Sequence, residues 1–214
     1  DSSLFIKNRK NFIKKLEVNS IAFFNSNDIY PVSADSTLPF EQHRDIFYLS
    51  GIDQEESILV LFPDSKKNSF KEMLFIRETN DHITHWEGEK LTKEKAKDIS
   101  GINNIYWTNE FKYILNQIIK QSENVYINTN EHYRQNVETQ TREDRFIEEL
   151  KKIGGINFKK SNPILQKQRS IKDEIEIRLI EHACNITRKG FERVLKFVKP
   201  GVWEYEIEAE FSHE

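Results

Sequence analysis

The chain has 214 residues, 37% hydrophobic and 31% charged, with a formal net charge of -3. A domain of ~150 residues buries roughly 70% of its unfolded surface, and 15 Phe, 7 Tyr and 3 Trp supply the core, which excludes a disordered chain. Lysine pairs such as Lys14-Lys15, Lys66-Lys67 and Lys159-Lys160 are scattered among acids, so nothing resembles the clustered cations that nucleic acid or an acidic membrane demands.

Residues 4–17 read as an amphipathic helix, with Phe5, Phe12 and Leu16 recurring near helical spacing. Ile21 to Phe24 is a short apolar run expected as a buried strand. Residues 25–39 hold Pro31, Pro39 and several turn formers, and read as loop. Ile46 to Leu49, Ser57 to Phe62 and Met73 to Ile76 follow as expected strands, with Gly51 and Pro63-Asp64 marking turns. Connections this short cannot house crossover helices, which predicts an antiparallel meander. Thr92 is placed to cap a helix ending near Ile99. Then come a strand (Ile102 to Trp107), a helix (Glu110 to Lys120), a strand (Asn124 to Asn128) and a helix (Arg142 to Ile153) stopped by Gly154-Gly155. The alternation specifies an α/β fold: a mixed β-sheet flanked by helices.

Asn162-Pro163 opens a connector, which divides an α/β domain over residues 1–162 from a second segment over residues 163–214. Ser170 and Asp173 form a capping arrangement, and Ile171, Ile175, Leu179 and Ile186 make one apolar stripe. That helix runs until Pro200-Gly201 breaks it. The last stretch carries two patterns. Trp203, Tyr205, Ile207, Ala209 and Phe211 alternate as in a strand, while Trp203, Ile207 and Phe211 also share a helical face. Periodicity alone leans slightly to strand.

Cys184 is the single cysteine. It can form no internal disulfide, which fits a reducing compartment, and its apolar helical setting predicts a packed thiol. No run approaches the ~18 apolar residues of a membrane span, and the first residues lack signal architecture. A soluble cytoplasmic protein is expected. His82 and His85 could share a ligand face on a helix, but their flanks read as strand and turn, where the two side chains point oppositely. A zinc site also needs a third ligand. His213-Glu214 begins like a zincin motif and stops. Gly154-Gly155 lacks phosphate-loop spacing. The residues by themselves contain no complete catalytic constellation.

Three ordered motifs carry a family resemblance. The first is Asp45-Ile46-Phe47-Tyr48-Leu49-Ser50-Gly51-Ile52 followed by Ile58-Leu59-Val60-Leu61-Phe62, preceded by the shuffled run Phe40-Glu41-Gln42-His43-Arg44. The second is Ile83-Thr84-His85-Trp86-Glu87-Gly88 with Lys90 behind it. The third is Arg169-Ser170-Ile171-Lys172 with Glu176-Ile177, then Pro200-Gly201 and Glu204. Together they are similar to the aminopeptidase P family of X-Pro aminopeptidases, related to prolidase and creatinase.

The resemblance implies an N-terminal α/β domain followed by the first helices of a pita-bread catalytic domain, and it makes the last segment a helix from about Trp203. It implies a hydrolase that removes the first residue from peptides with proline second. In that family two divalent metal ions, usually manganese, share a hydroxide, and their five ligands lie downstream of the position matching Glu214. This chain is therefore expected to bind no metal and to be inactive alone, cut off before the metal ligands. Its implied roles are packing on its own catalytic domain, homo-oligomerisation and narrowing of the active-site mouth. Trp86 matches a tryptophan that reaches a neighbouring subunit's active site. Arg169 matches an arginine near the active site, and Asp45 an aspartate in an inter-domain contact; a structural ion pair is the plainer reading of both. The alternatives are the N-terminal part of a prolidase, or a non-catalytic oligomerisation or peptide-binding module.

Overall fold

The computed structural model describes residues 2–130, 132 and 139–213, the side chains of Asp81 and Trp86 apart. The chain divides into two compact units, Asp1–Arg169 and Ser170–Glu214. The first opens with α1 (Ser2–Ile13), β1 (Ser20–Asn25), a small hairpin of β2 (Pro31–Ser33) and β3 (Ser36–Thr37), α2 (Arg44–Ser50), β4 (Ile58–Leu61) and β5 (Glu72–Ile76). It continues with α3 (Asp81–Glu87), α4 (Lys93–Ser100), β6 (Asn104–Trp107), α5 (Phe111–Ile118), β7 (Asn124–Ile127), α6 (Arg142–Ile153), β8 (Asn157–Lys160) and α7 (Asn162–Ser170), whose last residue already belongs to the second unit. That unit holds α8 (Glu174–Phe197) and α9 (Glu204–Ser212).

Among the described residues the main sheet has the order β6-β5-β4-β1-β7-β8. β1, β4 and β5 pair antiparallel; of the meander expected over Ile46 to Ile76 only the β4–β5 pairing forms, and β1 takes the place of the expected first strand. β6 joins β5, β7 joins β1 and β8 joins β7, each in parallel. β1 is buried along its whole length, as a central strand covered on both faces must be. The two-residue period sends Ile21, Phe23, Val60, Met73, Phe75, Val125 and Ile127 to one face. There Ile114, Leu115 and Ile118 of α5 and Phe146, Ile147 and Leu150 of α6 cover them. The opposite register sends Ala22, Phe24, Leu59, Leu61, Leu74, Ile76 and Tyr126 to the other face, under Phe12 of α1, Ile46 and Leu49 of α2, Ala96 of α4 and Leu165 of α7. The expected mixed sheet flanked by helices is present.

Several local expectations are corrected. Ile46 to Leu49 is helical, because His43 caps the start and Gly51, at φ 71°, closes the end in the left-handed conformation. Ile46 and Leu49 lie on one helical face and are both buried. Residues 82–85 are also helical, started by the Asn80 side chain, which accepts from the Ile83 amide. Residues 31–37 form the small hairpin rather than loop alone. β8, missed in the sequence, pairs at the sheet edge. The stretch after Asn162 is helical at once, anchored by Leu165 in the core of the first unit.

In the second unit, the cap of α8 is Asp173, in a reciprocal arrangement with Glu176. Cys184 is exposed rather than packed. The final segment is the helix α9, so the alternation of its aromatic residues misled. No described helix is long and apolar enough to cross a membrane.

Candidate functional site: a polar junction at Asp45 and Arg169

The C-terminal ends of the parallel neighbours β1 and β7 need polar partners, since both strands stop there while still buried. Glu143, in the first turn of α6, supplies them: its carboxylate accepts from Asn25 Nδ2 at 2.7 Å and from the Asn128 amide at 2.8 Å. Burial raises the Glu143 pKa above its ordinary value, and these two hydrogen bonds only partly oppose it. Beside it, Arg142 donates to Ser26 Oγ at 2.8 Å, and burial lowers its pKa.

Asn128 links this cluster to α2 by donating from Nδ2 to Asp45 Oδ2 at 3.1 Å. The other Asp45 oxygen pairs with Arg169 Nη1. The Arg169 guanidinium also lies 5.6 Å from the centre of the Tyr48 ring, within cation–π range. Gln168 Nε2 reaches Tyr48 Oη at 3.3 Å and the carbonyl of Asn8 at 2.8 Å. The end of α7 is thus held against α2 and α1 by adjacent side chains.

His43 completes the junction. Its Nδ1 accepts from the Asp45 amide at 3.3 Å, so the cap needs an unprotonated Nδ1. Burial lowers the His43 pKa; the Asp45 charge opposes this and the Arg169 charge reinforces it. At its other end α2 is tethered by α1. Arg9, almost wholly buried, donates to the Leu49 carbonyl at 2.8 Å, and Asn8 Nδ2 to the Tyr48 carbonyl at 3.0 Å. These donors satisfy carbonyls near the helix end that have no partner within the helix.

Of the three residues singled out in the sequence, Asp45 and Arg169 are brought together. Trp86 stands on a separate element, α3, and its side chain lies outside the described residues. His82 and His85 share that short helix, rather than the opposed faces of a strand. Among the described residues, however, no group of three or more His, Cys, Asp or Glu is placed to hold a metal ion. Glu214, of the His213-Glu214 pair, is outside the described residues.

The junction can orient a carboxylate or guanidinium; among the described residues it presents no nucleophile beside a base. Fold and junction together define a helix-covered mixed-sheet domain whose last residue, Arg169, is fixed by a buried aspartate. A sequence profile of the aminopeptidase P N-terminal domain matches residues 5–126, and the chain belongs to that family. It is 28% identical over 213 residues to a Xaa-Pro aminopeptidase of Haemophilus influenzae, covering 98% of this chain and 46% of that protein. Its identity to the Xaa-Pro aminopeptidase of Escherichia coli is 24%, covering 98% and 48%. A Bacillus anthracis structure assigned to aminopeptidase P superposes with a TM-score of 0.89 at 26% identity, over 99% of this chain and 50% of that one. The low-pH form of E. coli aminopeptidase P shares the fold, with a TM-score of 0.82 at 24% identity over 100% and 49% of the two chains. The chain spans about half the length of the curated relatives it matches.

Proposed function

We propose that this chain is the N-terminal portion of a metal-dependent Xaa-Pro aminopeptidase, a cytoplasmic hydrolase that removes the first residue from peptides with proline second. Its α/β domain is the first compact unit, which takes in the connector expected from residue 163 as far as Arg169, and the residues after it lead into the pita-bread domain. The two divalent ions, manganese by family resemblance, belong to donors outside this chain. The chain itself supports homo-oligomerisation and closes the substrate mouth through Trp86, while Arg169, braced by Asp45, orients groups near the active site. Alone it is inactive.

The observation carrying this reading is the match to Xaa-Pro aminopeptidases along 98% of the chain, against 46% of the relative's length. The test compares the complete gene product with the 214-residue chain on an Xaa-Pro peptide. Hydrolysis by the complete product, abolished by a chelator and restored by Mn²⁺, is the expected result. Chelator-sensitive hydrolysis by the short chain overturns the reading, and so does inertness of a well-folded complete product.

A further inference from the structure

The second sequence motif, Trp86 to Lys90, is held from both sides of Gly88, which turns the chain out of α3 at φ +81°. Before the turn, Glu87 accepts from both terminal nitrogens of Arg77, at 2.6 and 2.9 Å. After it, Lys90 Nζ donates to Glu55 Oε1 at 2.6 Å, and Arg77 Nη1 lies 3.4 Å from the same oxygen. One residue further, the Leu91 amide donates to Gln54 Oε1 at 2.7 Å. Arg77 follows β5 directly and Glu55 lies just before β4, so both anchors stand at ends of core strands.

Among its described residues, α3 draws little support from the core. It is seven residues long, well under the ~12–15 at which an isolated helix becomes even marginal. None of its described residues belongs to either buried core. The Glu55 side chain, by contrast, is only 8% exposed, and that of Lys90 14%. Burial pushes the Glu55 carboxyl up, yet the hydrogen bond from Lys90, a backbone hydrogen bond and the charges of Lys90 and Arg77 together more than offset it and leave it below the ordinary value.

We propose that Glu55 is a positioning residue: its buried carboxylate grips Lys90 and Arg77, and so sets where α3 carries the backbone of Trp86. The consequence for substrate rests on the reading of Trp86 as part of the substrate mouth. The role of Lys90 in the motif is then to dock on Glu55, and that of Glu87 to dock on Arg77.

The test uses the complete gene product. In Glu55→Gln, amide hydrogen exchange across residues 81–91 is expected to rise about tenfold while the β1 and β7 amides stay unchanged. KM for an Xaa-Pro tripeptide is expected to rise about fivefold, with kcat within about twofold. Glu55→Asp, which keeps the charge, is expected to recover part of both. In a Trp86→Ala background, Glu55→Gln is expected to add nothing further to KM, because both changes act on one element. Unchanged exchange at residues 81–91 overturns the clamp. Raised exchange with KM effects that simply add overturns its action through Trp86. If Trp86→Ala alone leaves KM unmoved, the substrate-mouth reading falls and takes the KM consequence with it, while exchange still decides the clamp. Should Glu55→Gln not fold, Lys90→Met removes the other partner of the ion pair and is read the same way.

Discussion

Arg169, the last residue of the first compact unit, closes an ion pair on Asp45, 124 positions earlier in the chain. The Asp45 side chain is 9% exposed and that of Arg169 38%. A buried pair that loses one member strands the other charge, at a cost of ~3–5 kcal/mol when both are buried; solvent at Arg169 screens this one. Arg169→Met is therefore expected to lower unfolding free energy by about 1–2 kcal/mol. In an Asp45→Asn background the same change is expected to cost much less. Urea titration of the four proteins measures the coupling. An equal loss in both backgrounds means that the two residues do not support each other.

Gly51 faces a tight neighbour. A Cβ there meets Phe5 Cε2 at 2.3 Å, and the backbone sits at φ +71°. The left-handed conformation alone costs an L-residue roughly 1–2 kcal/mol, and the ring must also move. Gly51→Ala is expected to destabilise by about 2–3 kcal/mol, read as a drop in the urea midpoint. Adding Phe5→Leu is expected to relieve the steric part and leave the backbone part. A Gly51→Ala protein as stable as the parent refutes the contact.

His43 makes part of the stability pH-dependent. Burial, the leading cause, holds its folded pKa below the ordinary 6.5, so the unfolded chain takes up the proton first. The stability it contributes is complete above about 6.5 and is lost as pH falls through the lowered folded value. His43→Asn keeps a good helix cap and removes the titration. From pH 7.5 down to 5, the parent is expected to lose stability faster than the variant, by at most ~1.4 kcal/mol per pH unit. Parallel stability curves contradict this.

How much of this could be read from the sequence varies with how far apart the cooperating residues lie. The central strands were legible because Ile21 to Phe24 and Ile58 to Leu61 are apolar runs buried on both faces. α6 was legible because its stop at Gly154-Gly155 is a local signal; the cap at Thr141, equally local, went unread. α2 was misread because a seven-residue helix built from Ile, Phe, Tyr and Leu has the composition of a strand. Its helical state depends on His43 and on tethers from Asn8 and Arg9, about 40 positions away. β8 was missed because Asn157-Phe158-Lys159-Lys160 is polar and half-exposed, as an edge strand can be. In the junction, Asp45 and Arg169 were found only through a family motif. Glu143, Asn25 and Asn128 carried no motif at all; the one signal was a polar residue at the C-terminal end of each of two buried strands, Asn25 closing β1 and Asn128 following β7. Glu55 had the same difficulty, since only the fold places it beside Lys90.

The second unit leaves much apolar surface open. Leu179 is 61% exposed, Leu195 74% and Trp203 68%. Part of its apolar set is used internally: Phe191 and Phe211 meet edge to face at 5.2 Å, over Gly190, where an added Cβ would lie 3.0 Å from the Phe211 ring. Leu179, Leu195 and Trp203 receive no such cover within the unit. Leu179 and Ile186, seven residues apart on α8 and both exposed, share one apolar stripe, and an exposed apolar stripe marks an interface. If the remainder of a longer protein covers it, the 214-residue chain is expected to bind an apolar-surface dye and to self-associate in light scattering, while the complete product does neither. Leu179→Lys and Ile186→Lys together are expected to reduce both signals in the short chain, since each places a charge on that stripe. The same pair is expected to destabilise the complete product, where the face is covered. A short chain that runs as a clean monomer and binds no dye shows that this face needs no partner.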